Sequence, residues 1–298
     1  MRQPGSDMEG IIVPLFTQFT EQDEVDLAAM EAHTEYLIGA GVDAVFVGGS
    51  AAEFIALDTE ERETAAERII RKVGDRLPVL VHVTAANLRD SLRLTDHAAA
   101  LGADALVAVS PWFWKHDDES LAAFFGTIAE RAGGTPLYLY HMPHTGNDLH
   151  PRLVEELVRR HPNIVGLKNS QDDMQRTMAY AAMPQTAFFT GSDLTALYAL
   201  SHGADGIISG LINVVPELFV SMKRSLSAGD AAAALALQLQ LHQYARLFAG
   251  DMRRLKAGGE ALGLGSRRCR APLGTLTDEQ YARFEQEISR LRADQASA

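Results

Sequence analysis

Apolar and polar positions along the chain alternate between two kinds of segment. Short apolar runs are each followed by a longer stretch with apolar residues three and four apart. The first kind reads as a strand buried on both faces, the second as an amphipathic helix. Strand runs are predicted at 10–16, 41–47, 78–83, 104–109, 136–140, 163–168, 186–190 and 205–209. Helical spacing falls at 26–38, 59–73, 88–101, 118–131, 151–160, 172–183, 194–202 and 216–226, with Thr59 as the expected N-cap of the second helix. Gly41, Gly102 and Gly203 each open a Gly-x-Asp repeat between a helix and the next strand, where a left-handed residue would stop the helix.

Eight successive strand–helix pairs predict an α/β fold, a (β/α)8 TIM barrel over residues 1–229. The alternative is an open doubly wound sheet. Such a sheet normally carries a glycine-rich phosphate loop after its first strand, and here that place holds Thr17-Gln-Phe-Thr-Glu. Beyond Asp230 the strands cease. Helices alone are expected at 231–249, 251–262 and 277–292, with loops at Gly258-Gly259 and around 267–272. Residues 230–298 are thus expected as a C-terminal helical appendage packed on the barrel or on a neighbour.

Composition narrows the partners more than the fold. A net charge of −12 argues against nucleic acid or an anionic membrane surface, yet leaves room for a small anionic substrate. The single cysteine, Cys269, excludes an internal disulfide and suits a reducing cytosol. Residues 1–7 hold no apolar leader, and no run approaches the ~20 residues of a membrane span. The expected location is cytoplasmic.

In a barrel of this kind, chemistry gathers at the C-terminal ends of the strands. The polar residues there are Ser50 and Glu53, Thr84 and Asn87, Ser110, Tyr140 with His141, Lys168, Ser192 with Asp193, and Ser209. Lys168 ends an apolar strand. Its ammonium needs a carboxylate partner there, or burial disfavours the charge and leaves an amine able to attack a carbonyl. Tyr140 ends the preceding strand, within reach of the same pocket, where a phenol can shuttle protons or simply plug the barrel mouth. His82, inside a strand, reads as a satisfied core residue. His141, His144 and His150 could be a metal cluster, but they lack a well-spaced carboxylate; loop histidines bonded to backbone or substrate are the plainer reading. Trp112, Phe113 and Trp114 form an aromatic knot that would line the pocket or a subunit contact.

Lys168 after its apolar run, Tyr140-x-x-Pro143, Gly48-Gly49-Ser50-x-x-Glu53 and Gly191-Ser-Asp193 together resemble the dihydrodipicolinate synthase / N-acetylneuraminate lyase family of class I aldolases. The resemblance runs from about Gly10 to Leu276. It implies a Schiff-base lyase that needs neither cofactor nor metal, with Lys168 as the imine-forming residue and Tyr140 as proton donor and acceptor. It further implies that Ser50 and Ala51 hold the 2-oxo acid carboxylate, largely through backbone N–H groups, and that Ile208 contacts the bound keto acid. Phe113, His144, Gly191 and Ser209 become candidates for the pocket wall. A homotetramer built as a dimer of dimers is also implied.

Three departures from the family pattern bear on the substrate. Ala51 lacks a hydroxyl that belongs to the usual proton relay. Phe113 stands where the synthases carry a tyrosine donated across a subunit contact. Pro143-His144-Thr145-Gly146 is one residue shorter than its counterpart and lacks the arginine that grips a second carboxylate. The expectation is therefore an aldolase joining pyruvate to an uncharged polyol aldehyde, making or cleaving a 2-keto-3-deoxy sugar acid. The alternatives are a dihydrodipicolinate synthase, an N-acetylneuraminate lyase or a dehydratase of the same family. A non-catalytic barrel that binds 2-oxo acids is a further alternative, suggested by the twice-interrupted relay.

Overall fold

The computed structural model describes residues 8–296; the N-terminal segment 1–7, read above as lacking an apolar leader, lies outside them. Eight strands close into one parallel barrel in sequence order. They are β1 Gly10–Pro14, β2 Ala44–Val47, β3 Val79–His82, β4 Ala105–Val109, β5 Leu137–His141, β6 Ile164–Asn169, β7 Ala187–Thr190 and β8 Gly206–Ile208. Eight helices alternate with them: α1 Leu27–Gly39, α2 Thr59–Val73, α3 Leu88–Ala100, α4 Asp118–Ala132, α5 Pro151–Arg160, α6 Met174–Ala181, α7 Ala196–Ser201 and α8 Pro216–Ser227. This is the (β/α)8 TIM barrel that the periodicity predicts. Three further helices follow: α9 Ala231–Phe248, α10 Met252–Ala261 and α11 Asp278–Ala296. Among the described residues, no helix is long and apolar enough to cross a membrane.

The helix stops behave as read. Gly41, Gly102 and Gly203 all have positive φ, at 85°, 75° and 96°. The start of α2 differs. Asp58, not Thr59, is the N-cap, and it forms a reciprocal capping box with Glu61. Thr59 is the first helical residue.

Alternate strand residues face two packing layers. Ile12, Phe46, Leu80 and Tyr138 fill the barrel interior, while Ile11, Val45, Val79 and Leu137 face the helices. One irregularity decides where the chemistry points. Between β5 and β6 the register jumps, so that Leu137 pairs with Ile164 but Tyr138 with Gly166. The extra residue in β6 resets the alternation and places Lys168 opposite Tyr140.

The Gly258-Gly259 pair is not a loop. Both residues lie inside α10, and both are buried. A Cβ on Gly258 would lie 2.9 Å from the Phe248 ring and 3.0 Å from the Val214 side chain, so the glycine serves close helix packing rather than a turn. Gly39 offers the contrast, since nothing lies within 4 Å of the Cβ it lacks. Alanine favours a helix over glycine by about 1 kcal/mol. Gly39→Ala is therefore expected to raise the melting temperature or leave it unchanged. Gly258→Ala is expected to lower it, because overpacking of about 1–3 kcal/mol outweighs the same propensity gain. Calorimetry on the two variants checks the order, and a Gly258→Ala protein as stable as wild type would refute it.

Candidate active site

A cavity of about 630 Å³ opens at the C-terminal end of the barrel. Lys168 lies in its wall, only 3% exposed, at the end of β6. Its Nζ is 4.1 Å from the centroid of the Tyr140 ring and 5.6 Å from that of Phe46. Among the described residues no carboxylate forms an ion pair with it; Glu53, on the facing loop, pairs with Lys256 instead. The buried salt bridge that would have made Lys168 structural is absent from this set.

Tyr140 is held on three sides. Its hydroxyl is 3.2 Å from the Ser50 hydroxyl, receives a hydrogen bond from Ser170 Oγ at 3.5 Å, and lies 3.5 Å from the Met142 sulfur. Burial pushes the phenol up, but the Lys168 charge together with the Ser170 and Ser50 hydrogen bonds outweighs this, so its pKa lies below the ordinary tyrosine value. The hydroxyl missing at Ala51 therefore does not isolate Tyr140.

Ser170 escaped the sequence reading. The signal was present: it stands two residues beyond Lys168, so strand alternation carries it to the same side. Gly191 makes room for it, since a Cβ there would fall 2.2 Å from Ser170 Oγ.

The other expected residues divide. Ser50, Ala51, Ile208, His144 and Gly191 all line the cavity. Phe113 does not; it is 84% exposed, and Trp112 occupies the wall instead, edge-on to Phe54 at 5.5 Å. A positive φ of 80° turns the Phe113 backbone away, and its ring meets only Trp114 in the aromatic contacts of this loop. Ser209 lies behind the cavity and donates to the Asp193 carboxylate. The three histidines are dispersed. His141 Nδ1 is 2.8 Å from Asn169 Oδ1 and its Nε2 is 3.3 Å from Asp148, whereas His150 caps α5 and contacts Asp118. Among the described residues, no cluster of three or more His, Cys, Asp or Glu could hold a metal ion. His82 is satisfied on one side only. Arg62 Nη2 lies 3.2 Å from its Nδ1, and among the described residues its Nε2 has no side-chain hydrogen-bond partner.

Sequence reasoning also missed one wall. Met252 and Leu255 of α10 and the segment Ala271–Leu273 line the cavity, so the helices after the barrel help to form the site. Nothing in a helical pattern alone says which strand ends it will cover.

Asp193 follows β7, and burial pushes its carboxyl up to about 6, although the hydrogen bond from Ser209 opposes the shift. Its folded pKa thus exceeds the unfolded value of about 3.9. The folded state holds this proton to higher pH, so Asp193 costs stability progressively as pH rises through that window. Asp193→Asn is expected to gain on wild type as pH rises from 4 to 7, by about 3 kcal/mol in all. Urea unfolding at several pH values measures this, and a difference that stays flat across the window would exclude it.

The comparisons with known proteins converge on one family. The sequence profile of the Dihydrodipicolinate synthetase family matches residues 7–291. The chain is 35% identical over 246 residues to an Escherichia coli K12 protein named "Probable 2-dehydro-3-deoxy-D-pentonate aldolase YjhH", covering 80% of this chain and 81% of that one. It is 29% identical over 286 residues to N-acetylneuraminate lyase of Rhizobium meliloti, covering 95% of each. The crystal structure of YagE from E. coli K12, in complex with pyruvate, superposes with a TM-score of 0.91 at 30% identity, covering 96% of this chain and 99% of that one. The chain belongs to the dihydrodipicolinate synthetase family, a family of Schiff-base-forming aldolases and lyases.

Proposed function

We propose that this protein is a class I aldolase that makes or cleaves the bond between pyruvate and an uncharged aldehyde, with a 2-keto-3-deoxy sugar acid as the joined form. The observation that carries this reading is a buried lysine, facing a cavity with no carboxylate paired to it among the described residues, against a phenol of lowered pKa. Lys168 Nζ adds to C2 of the 2-oxo acid, and water leaves to give an iminium. The iminium draws electrons from the C3–C4 bond in cleavage, or from a C3–H bond before condensation. Tyr140, with Ser50 and Ser170 behind it, moves the proton to and from the aldehyde oxygen. The backbone N–H groups of Ser50 and Ala51, at the start of a short 3-10 turn, lack intrahelical acceptors and suit the pyruvate carboxylate. Ile208 packs against the bound keto acid.

The cavity wall supports an uncharged partner, because no arginine is among its lining residues. The aldolase name of YjhH and the pyruvate bound to YagE point the same way. A synthase acting on a second carboxylate is disfavoured by the missing arginine. The non-catalytic alternative rested on a broken relay, and the two serines beside Tyr140 remove that support. We also infer a homotetramer arranged as a dimer of dimers and a cytoplasmic location, on the family membership and the single buried cysteine.

Borohydride added with pyruvate is expected to fix one pyruvyl group on Lys168, read by peptide mass spectrometry. Lys168→Met should abolish the adduct. Tyr140→Phe should still trap pyruvate but lose about 10²–10⁴-fold in aldol turnover. An unmodified Lys168, or full turnover without the phenol, would defeat the proposal.

A further inference from the structure

A second buried lysine lies across the cavity wall from the first. Lys256, on α10, is completely buried, and its Nζ donates to Glu53 Oε1 at 2.8 Å. The other carboxylate oxygen of Glu53 accepts the backbone N–H of Arg270 at 2.9 Å. Glu53 is thus gripped at both oxygens by chain more than 200 residues away, at separations of 203 and 217.

The grip falls on a strained point. Glu53 has φ 56°, ψ 37°, a left-handed conformation that a residue with a Cβ adopts at a cost of about 1–2 kcal/mol. It closes the turn Ser50–Ala52 through its own N–H to the Ser50 carbonyl at 3.1 Å. Arg270 extends the hold. Its guanidinium donates to the Ala56 carbonyl at 3.0 Å and to both Glu61 oxygens at 2.7 and 2.8 Å, fastening the start of α2 as well. Both cations also rest on one ring, with Lys256 Nζ 4.2 Å and the Arg270 guanidinium 4.6 Å from the Phe19 centroid.

We propose that Lys256, Glu53 and Arg270 form a strap by which the C-terminal helices set the shape of the carboxylate-binding turn, making Lys256 and Glu53 positioning residues for pyruvate. The inference rests on the reading of Ser50 and Ala51 as the carboxylate site. None of the three touches the reacting atoms. They fix the backbone whose N–H groups receive the carboxylate, and Ser50, whose hydroxyl meets Tyr140. A buried pair replaced by neutral groups of similar size often leaves stability unchanged, so holding the fold together is not reason enough for it.

The test is Glu53→Gln combined with Lys256→Met, which removes both charges together. The pyruvate concentration that gives half-maximal borohydride trapping on Lys168 is expected to rise at least about tenfold, while the trapped fraction at saturation stays at one per chain. Glu53→Asp is the companion. It keeps the charge but is one methylene too short to reach both Lys256 and the Arg270 N–H, and a rise of at least about threefold is expected. If the double variant does not fold, Glu53→Asp decides. A folded variant with lowered melting temperature but wild-type half-saturation would overturn the strap and leave the Schiff base intact. Wild-type protein that traps no pyruvate would sink both.

Discussion

An amine has to sit in an apolar barrel, facing inward, with no carboxylate paired to it among the described residues. Every other part of the site follows from that constraint. A lysine held in this way exists only because the surrounding fold compels it, since an unpaired ammonium is better solvated in water. The barrel does so through the register jump between β5 and β6. Without the extra residue in β6, strand alternation would turn Lys168 toward the helices and Leu167 toward the cavity. The ring of Tyr140, 4.1 Å away, then offers the charge its only close electrostatic company among the aromatic contacts besides Phe46. The Lys168 charge, with the Ser170 and Ser50 hydrogen bonds, outweighs burial and holds the phenol below its ordinary pKa.

The two buried lysines show how environment divides one side chain into two roles. Lys256 meets a carboxylate at 2.8 Å and is thereby committed to structure. Lys168 meets none among the described residues and remains open to a carbonyl. Glu53 is what separates them. It belongs to the loop that faces Lys168, and its carboxylate is held by two donors from the C-terminal region at a residue of left-handed backbone. Glu53 lines the cavity, but both its carboxylate oxygens are taken by Lys256 and the Arg270 N–H; freed from them, it could offer Lys168 a counterion and stabilise the ammonium that cannot attack.

Much of this was legible in the chain. The barrel could be read because its strands are buried on both faces and its helices on one, a difference in period that survives without any tertiary knowledge. Lys168 and Tyr140 could be read because each ends an apolar run, where polarity is costly and therefore informative. Other features were hidden for definite reasons. Thr59 was mistaken for the cap because Asp58 and Thr59 are both good capping residues, and only the Glu61 side chain settles which one is used. Gly258-Gly259 looked like a loop because a glycine pair signals either a turn or a close approach, and the two differ only in what lies opposite. Phe113 and Trp112 are adjacent aromatics on one loop, so which of them faces the cavity depends on a backbone angle that the residue types do not reveal.

The helices beyond the barrel line part of the cavity and tie down one of its loops. A barrel mouth is built from eight loops that share few contacts with one another, so each is free to drift unless something outside the barrel ties it down. The turn at Ser50–Ala52 is short and strained at its end. α10 and the chain after it supply what is missing: an ion pair, a backbone hydrogen bond, an arginine spanning to α2, and side chains of Met252, Leu255 and Leu273 that close the cavity. On the proposed reading of Ser50 and Ala51 as the carboxylate site, recognition is only as exact as the backbone presenting the amides, so the residues that fix this turn bear on it as much as those that touch the ligand.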